Sequence, residues 1–208
     1  KPNEPGDRML IDVKITGITD GEASVQATVT NNSGLACQAE MVLGLREKQW
    51  DVPIPQGFNE FDKSEKSAMQ VMDIMKYIPH RFPFLFVDYV SKIEGSHFTG
   101  VKNATGTDPV FRVYKDGYTV MSGAVHPEIA AQAGCIYVLS NPALKGKIAY
   151  FMGIDRSDFY APIFPGDQLR LEVDMPDATK RVGKGEGGIY VGDKLISTTL
   201  MTFAVVDP

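Results

Sequence analysis

Residues 123–140 read GAVHPEIAAQAGCIYVLS, and this run decides the fold. As a helix it is apolar on almost every side, and a helix that is hydrophobic all round is buried. Asn141 and Pro142 end the run. Because segments with strand character precede and follow it, we expect an α+β protein in which a mainly antiparallel sheet wraps around one buried central helix.

The segments on either side supply the rest of this architecture. We predict a short helix at about residues 67–77, which Pro79 ends. Before the buried helix, residues 84–94 and 95–104 are predicted to pair as strands. After it, one strand over residues 148–154 precedes three more.

The last three strands belong to an internal repeat with an offset of 160 residues. PNEPGD at residues 2–7 matches PIFPGD at residues 162–167. Without a gap, GLACQAEMVLGL at residues 34–45 then aligns with KLISTTLMTFAV at residues 194–205. Each copy is typical of three strands joined by Gly, Asp and Asn turns.

The two copies differ in what precedes them. About 90 residues lie ahead of the second copy, and almost none lie ahead of the first. We therefore expect residues 1–47 to be the C-terminal strands of a first, incomplete repeat. Residues 48–66, with two prolines and isolated aromatics, are predicted to be a linker, and residues 67–208 a complete second domain.

Composition excludes several classes of function. The chain has 208 residues and a net charge of -5, which argues against a nucleic-acid partner. No apolar run is long enough to cross a bilayer. Cys37 and Cys135 lie in apolar runs without metal-ligand spacing, so we expect no metal site and two reduced core thiols in a cytoplasmic protein.

Several motifs carry a resemblance to one family. IPHRFPFLFVD at residues 78–88 looks like the opening motif of the bacterial β-hydroxyacyl-acyl-carrier-protein dehydratases, the FabZ-type enzymes of fatty-acid synthesis. GVKNAT, DPVF, AQAG, YFMGID and FPGD follow in the family's order, at residues 100–105, 108–111, 131–134, 150–155 and 164–167. The resemblance covers about residues 71–206. It implies the hotdog fold and, with the repeat, a double hotdog whose first copy is incomplete.

The resemblance also implies an activity. FabZ-type enzymes are hydro-lyases that remove water from a (3R)-hydroxyacyl thioester and leave a trans-2-enoyl thioester. They need no cofactor, because the phosphopantetheine arm of an acyl carrier protein holds the substrate. The expected partners are therefore an acyl carrier protein, with coenzyme A as the alternative carrier, and other hotdog segments or subunits.

The family's reaction needs a base, an acid and a donor to the thioester oxygen. The resemblance assigns the acid to Glu128 and the donor to the backbone N–H at Gly123. The family's catalytic histidine falls on Tyr114 in the loop FRVYKDG, residues 111–117. A tyrosine with a reference pKa of about 10 is protonated at neutral pH and is a poor base.

Further residues are predicted around this centre. Gln132 lies one helical turn after Glu128 and is expected to orient it. Together with Gln132, Met121, Phe111 and Phe84 are predicted to contact the substrate. His80 is interpreted as structural, and His126 is expected to point away from Glu128 because it lies two residues before it.

Two classes of function remain open at this point. In the first, Glu128 acts here and the base histidine comes from another hotdog segment. In the second, the degraded loop marks a non-catalytic hotdog subunit that binds acyl chains or supports an active dehydratase. An acyl thioesterase, which would use the helix carboxylate and water, is a further alternative.

Overall fold

The computed structural model describes residues 3, 6–44, 67–113 and 117–207. The chain divides into two compact units, residues 1–54 and 55–208, and each is described by itself. The predicted linker at residues 48–66 lies outside the described residues. So does Tyr114, on which the prediction about the catalytic loop depends.

The first unit is an antiparallel three-stranded sheet. Its strands are β1 (Leu10–Thr19), β2 (Glu22–Asn31) and β3 (Gly34–Gly44), in the order β1-β2-β3. Asp20 and Gly21 form the two-residue turn between β1 and β2, and both have positive φ values of 49° and 78°. A turn with two positive φ angles matches the twist of the strands that it joins.

One face of this sheet is apolar. Ile11, Val13 and Ile15 of β1 lie opposite Val29, Ala27 and Val25 of β2. The three β1 side chains are 62%, 58% and 59% exposed. At the offset of 160, Leu171 and Val173 of the second unit take the places of Ile11 and Val13, and they are buried. The two copies therefore carry their apolar side chains on the same face of the sheet. In the second unit, a helix covers this face.

The second unit holds the remaining elements. Its strands and helices are β4 (Met69–Gln70), α1 (Val71–Ile74), β5 (Tyr89–Glu94), β6 (His97–Asn103), β7 (Phe111–Val113), β8 (Thr119–Met121), α2 (His126–Ser140), β9 (Ile148–Phe159), β10 (Gln168–Asp174), β11 (Val182–Val191) and β12 (Lys194–Val206). Seven strands form one antiparallel sheet in the order β4-β5-β6-β10-β11-β12-β9, and β7 pairs with β8.

The helix α2 packs across this sheet, as the sequence predicts. It contacts β6, β9, β10, β11 and β12. Ile129, Ala133 and Ile136 of the helix are completely buried. A 3-10 turn, Gly123–Val125, leads into α2, so the first three residues of the predicted helix wind more tightly. No helix in the described part of the chain is long and apolar enough to cross a membrane.

Three predicted boundaries are wrong. The short helix is four residues long, because Met69 and Gln70 pair with β5 before it begins and it ends at Ile74. The strand expected from residue 84 begins at Tyr89, since the backbone of residues 84–86 bonds to a side chain of α2. The strand expected to end at residue 154 continues to Phe159, in register with β12.

Close approach of α2 to the sheet depends on glycine at position 187. A Cβ added to Gly187 of β11 would lie 2.7 Å from the Cβ of Ala130 in α2, closer than two carbon atoms pack. Small residues on both elements therefore let the helix lie directly on the strand.

Replacing Gly187 tests this contact. We expect Gly187→Ala to lower the free energy of unfolding by about 1–3 kcal/mol, because the helix must shift to accept the methyl group. Gly153→Ala in β9 is the matched control, since no atom lies within 4 Å of its added Cβ. Urea unfolding of both variants measures the difference, and equal stabilities would contradict the packing described here.

Candidate functional site

One face of α2 lines a groove in the second unit. Its volume is about 640 Å³, including space open to solvent. Glu128, Ala131, Gln132, Cys135 and Val138 recur at helical spacing along this face. The other lining residues are His80, Gly134, Ala149, Tyr150, Phe151, Met175, Met201 and Phe203. The walls are mostly apolar, and the polar groups collect at the end of the groove where Glu128 lies.

The amide of Gln132 organises that end of the groove. Gln132 is 1% exposed, and its Oε1 accepts a hydrogen bond of 2.9 Å from the backbone N–H of Phe86. Its Nε2 donates to the carbonyl oxygen of Phe84 and to Glu128 Oε1, both at 2.8 Å. Because the Phe86 N–H must meet an acceptor, the orientation of the amide is fixed, and Nε2 faces Glu128 as a donor.

The two carboxylate oxygens of Glu128 differ in their hydrogen bonds to the described residues. Oε1 accepts the bond from Gln132, and no hydrogen bond or ion pair from the described residues reaches Oε2. The side chain is 28% exposed and borders the groove. The predicted contact between Gln132 and Glu128 is therefore present, and it leaves Oε2 available to a ligand in the groove.

His80 is the third polar group of this cluster. Its Nε2 lies 3.3 Å from Glu128 Oε1, while its Nδ1 is buried without a hydrogen-bond partner in the described part of the chain. The sequence interpretation of His80 as structural missed this contact. The sequence shows a histidine in the opening motif, residues 78–88. Its distance to Glu128 depends on tertiary structure, because this motif lies over α2.

Four other predicted site residues that the structure describes are not part of the groove lining: Phe84, Phe111, Met121 and Gly123. Phe84 packs edge-on against Phe86, with ring centroids 4.8 Å apart, and faces the His80 ring at 6.4 Å. Met121 is buried, and Phe111 packs partly buried against the core. An added Cβ on Gly123 would make ordinary contacts of 3.6 Å with Phe159. Their predicted contacts with substrate and with the thioester oxygen stay predictions.

His126 lies apart from this cluster. It is buried, its Nδ1 lies 3.1 Å from Ser197 Oγ, and its ring packs against Phe159. Burial lowers the pKa of His126 from its ordinary value of 6.5 to about 4, so the ring is neutral at pH 7. Its contacts are with β9 and β12, away from Glu128.

The two cysteines have different surroundings. Cys135 lines the groove, and burial, with a smaller contribution from the charge of Glu128, raises its pKa to about 12. Its thiol is therefore protonated and a weak nucleophile. The prediction of a core thiol is wrong for Cys37, which is exposed on the first unit because its face of the three-stranded sheet is open. The described residues contain no cluster of three potential metal ligands.

Known proteins resemble the second unit. The family model of the FabA-like domain matches residues 78–199. Over 134 residues the chain is 44% identical to the 3-hydroxyacyl-[acyl-carrier-protein] dehydratase FabZ of Symbiobacterium thermophilum, an alignment that covers 64% of this chain and 94% of that protein. It is 41% identical over 138 residues to the protein of the same name from Pelotomaculum thermopropionicum, with 66% and 99% covered.

A solved structure supports the fold. The dehydratase heterocomplex ApeI:P from Xenorhabdus doucetiae matches with a TM-score of 0.55 and 15% identity, over 64% of this chain and 91% of that chain. Together with the family model, this likeness confirms the predicted α+β hotdog fold.

The lowered pKa of His126 predicts a pH dependence of stability. In the unfolded chain this histidine takes up a proton near pH 6.5, but in the folded protein only near pH 4. The unfolded state therefore binds more protons in this window, and the free energy of unfolding falls by up to about 3 kcal/mol as the pH drops through it.

The His126→Asn variant should lack this share of the decrease. Denaturant unfolding at several values between pH 7 and pH 4 measures it, with the exposed His97→Asn as control. A variant His126→Asn that loses stability as steeply as the wild type would show that His126 is not the group responsible.

Proposed function

The chain belongs to the FabA-like family, and from this premise we propose that residues 67–208 form a FabZ-type 3-hydroxyacyl-[acyl-carrier-protein] dehydratase, a hydro-lyase. Its substrate is a (3R)-hydroxyacyl chain on the phosphopantetheine arm of an acyl carrier protein. Its product is the trans-2-enoyl thioester. The observation that carries the proposal is Glu128, a carboxylate that Gln132 fixes at a mostly apolar groove and whose Oε2 is bonded to none of the described residues.

The proposed reaction moves two protons: one is removed from C2 of the substrate, and one is given to the hydroxyl group on C3. A base removes the proton from C2 of the substrate, the C2–C3 double bond forms, and the C3–O bond breaks. Protonated Glu128 gives its proton from Oε2 to the departing hydroxyl, which leaves as water. The donor for the thioester oxygen is the backbone N–H at Gly123, next to the N-terminus of α2, where the helix dipole favours developing negative charge.

The base is a histidine from another hotdog segment. His126 is turned towards Ser197 and Phe159, and His97 is exposed on β6, so neither reaches Glu128. Another hotdog segment can pair with the edge strand β9. Among the described strands, β9 pairs only with β12. Tyr150, Met152 and Ile154 of this strand are 55%, 63% and 48% exposed. An open, apolar strand edge is suited to pairing with a further sheet.

The first unit supports the same arrangement. Its apolar face corresponds by the offset of 160 to the face that α2 covers in the second unit. We therefore assign residues 1–47 to the last strands of a first hotdog copy, whose helix-bearing part would cover that face. An assembly of this kind supplies a second hotdog from which the base can come.

Substitution of Glu128 tests the proposed activity. We expect Glu128→Gln to lower kcat for a 3-hydroxyacyl-acyl-carrier-protein by roughly 10²–10⁴-fold, since an amide is far too weak an acid to protonate the departing hydroxyl. Formation of the enoyl thioester is followed by its absorbance, using the full chain in its native assembly. Glu94→Gln is the control, because Glu94 is exposed and, within the described part of the chain, forms an ion pair with Lys92 alone.

Two results would contradict the proposal. Absence of turnover by the wild-type assembly favours the non-catalytic subunit, particularly when acyl chains still bind. Release of the free acid from an acyl thioester, in place of dehydration, favours the thioesterase.

A further inference from the structure

We propose that His80 is a positioning residue for Glu128. In this assignment its Nε2–H lies beside Glu128 Oε1, the oxygen that accepts the hydrogen bond from Gln132. The catalytic importance of this pair rests on the proposed dehydratase function, whereas the contact itself is independent of it. The starting observation is the distance of 3.3 Å between His80 Nε2 and Glu128 Oε1.

The buried nitrogen of His80 decides the tautomer. Nδ1 is inaccessible and has no hydrogen-bond partner among the described residues. A proton on Nδ1 would leave a buried donor without an acceptor and would turn the lone pair of Nε2 towards a carboxylate oxygen. The Nε2–H tautomer removes that repulsion and gives Glu128 a second donor.

The backbone around His80 is held in place for this contact. The guanidinium of Arg81 donates to the carbonyl oxygens of Ile78, His80 and Met75, at 2.9, 2.7 and 3.0 Å. On the other side of the motif, Gln132 binds Phe84 and Phe86. The segment that carries His80 is thus tied to its own turn and, a few residues later, to the helix that carries Glu128.

The arrangement also explains why His80 does not replace the loop histidine. Its Nδ1 is buried, and its Nε2 carries the proton that faces Glu128. Neither nitrogen has a lone pair available to a substrate. His80 therefore acts through Glu128: with Oε1 facing two donors, Oε2 is the oxygen left for the hydroxyl of the substrate.

Nitrogen NMR of the imidazole rings tests the contact without any turnover. In the full chain labelled with ¹⁵N-histidine, at a pH where the rings are neutral, we expect His80 to show the shifts of a fixed Nε2–H tautomer. Exposed His97, whose Nδ1 lies 3.8 Å from an oxygen of Asp174, should show no preference for the Nε2–H tautomer. In Glu128→Leu the Nε2–H of His80 loses the oxygen it faces, so its ¹H and ¹⁵N shifts should change, while the buried Nδ1 keeps the ring in the Nε2–H tautomer. A wild-type His80 that shows shifts averaged over the two tautomers would overturn the proposal.

Kinetics of two His80 variants test its consequence. We expect His80→Leu to lower kcat by up to about 100-fold with little change in KM, because a misplaced Oε2 affects the chemical step rather than binding. His80→Gln, whose amide has a donor near the position of Nε2, should recover most of the loss. His97→Leu is the matched control.

The outcomes separate this inference from the proposed function. Wild-type turnover that falls with Glu128→Gln but not with His80→Leu overturns the positioning role and leaves the dehydratase intact. No wild-type turnover, with a fixed Nε2–H tautomer, contradicts the dehydratase and leaves the contact between His80 and Glu128 established. If His80→Leu does not fold, His80→Gln and the tautomer of the wild type decide.

Discussion

The buried amide of Gln132 is the interaction on which the rest of the site depends. Its oxygen accepts from Phe86 N–H, and its nitrogen donates to Phe84 and to Glu128. A buried amide that lost one of these partners would destabilise the fold by about 1–3 kcal/mol, so the three bonds hold each other in place. One side chain therefore joins the opening motif to α2 and orients the carboxylate of the same helix.

This constraint explains how a carboxylate is tolerated on an almost wholly apolar helix. Burying a charged group is costly unless hydrogen bonds replace its water. Glu128 lies on the face of α2 that borders the groove, with Oε1 bonded to Gln132 and His80 nearby. The opposite face, with Ile129, Ala133 and Ile136, packs into the core. Glycine at position 187 allows the close approach that seats this face on the sheet.

The sequence predicts those features that depend on local spacing. The apolar run predicts α2, and the four-residue interval predicts the contact of Gln132 with Glu128. Features set by tertiary contacts are not accessible in this way. Strand pairing with β5 takes up two residues at the start of the expected first helix, and His80 reaches Glu128 only because the chain wraps over α2. Cys37 is exposed although it lies in an apolar run. An apolar run predicts a strand face that another element must cover, but it does not say which element that is.

In the proposed dehydration, Oε2 of Glu128 is the oxygen that faces the hydroxyl of the substrate. A crystal structure of the full chain in its native assembly, with a 3-hydroxyacyl pantetheine amide bound, tests this most directly. We expect the substrate hydroxyl to lie within about 3 Å of Oε2, with a histidine of another hotdog segment beside C2. A ligand bound in the groove with its hydroxyl away from Glu128, or with Oε1 as its contact, would contradict the account.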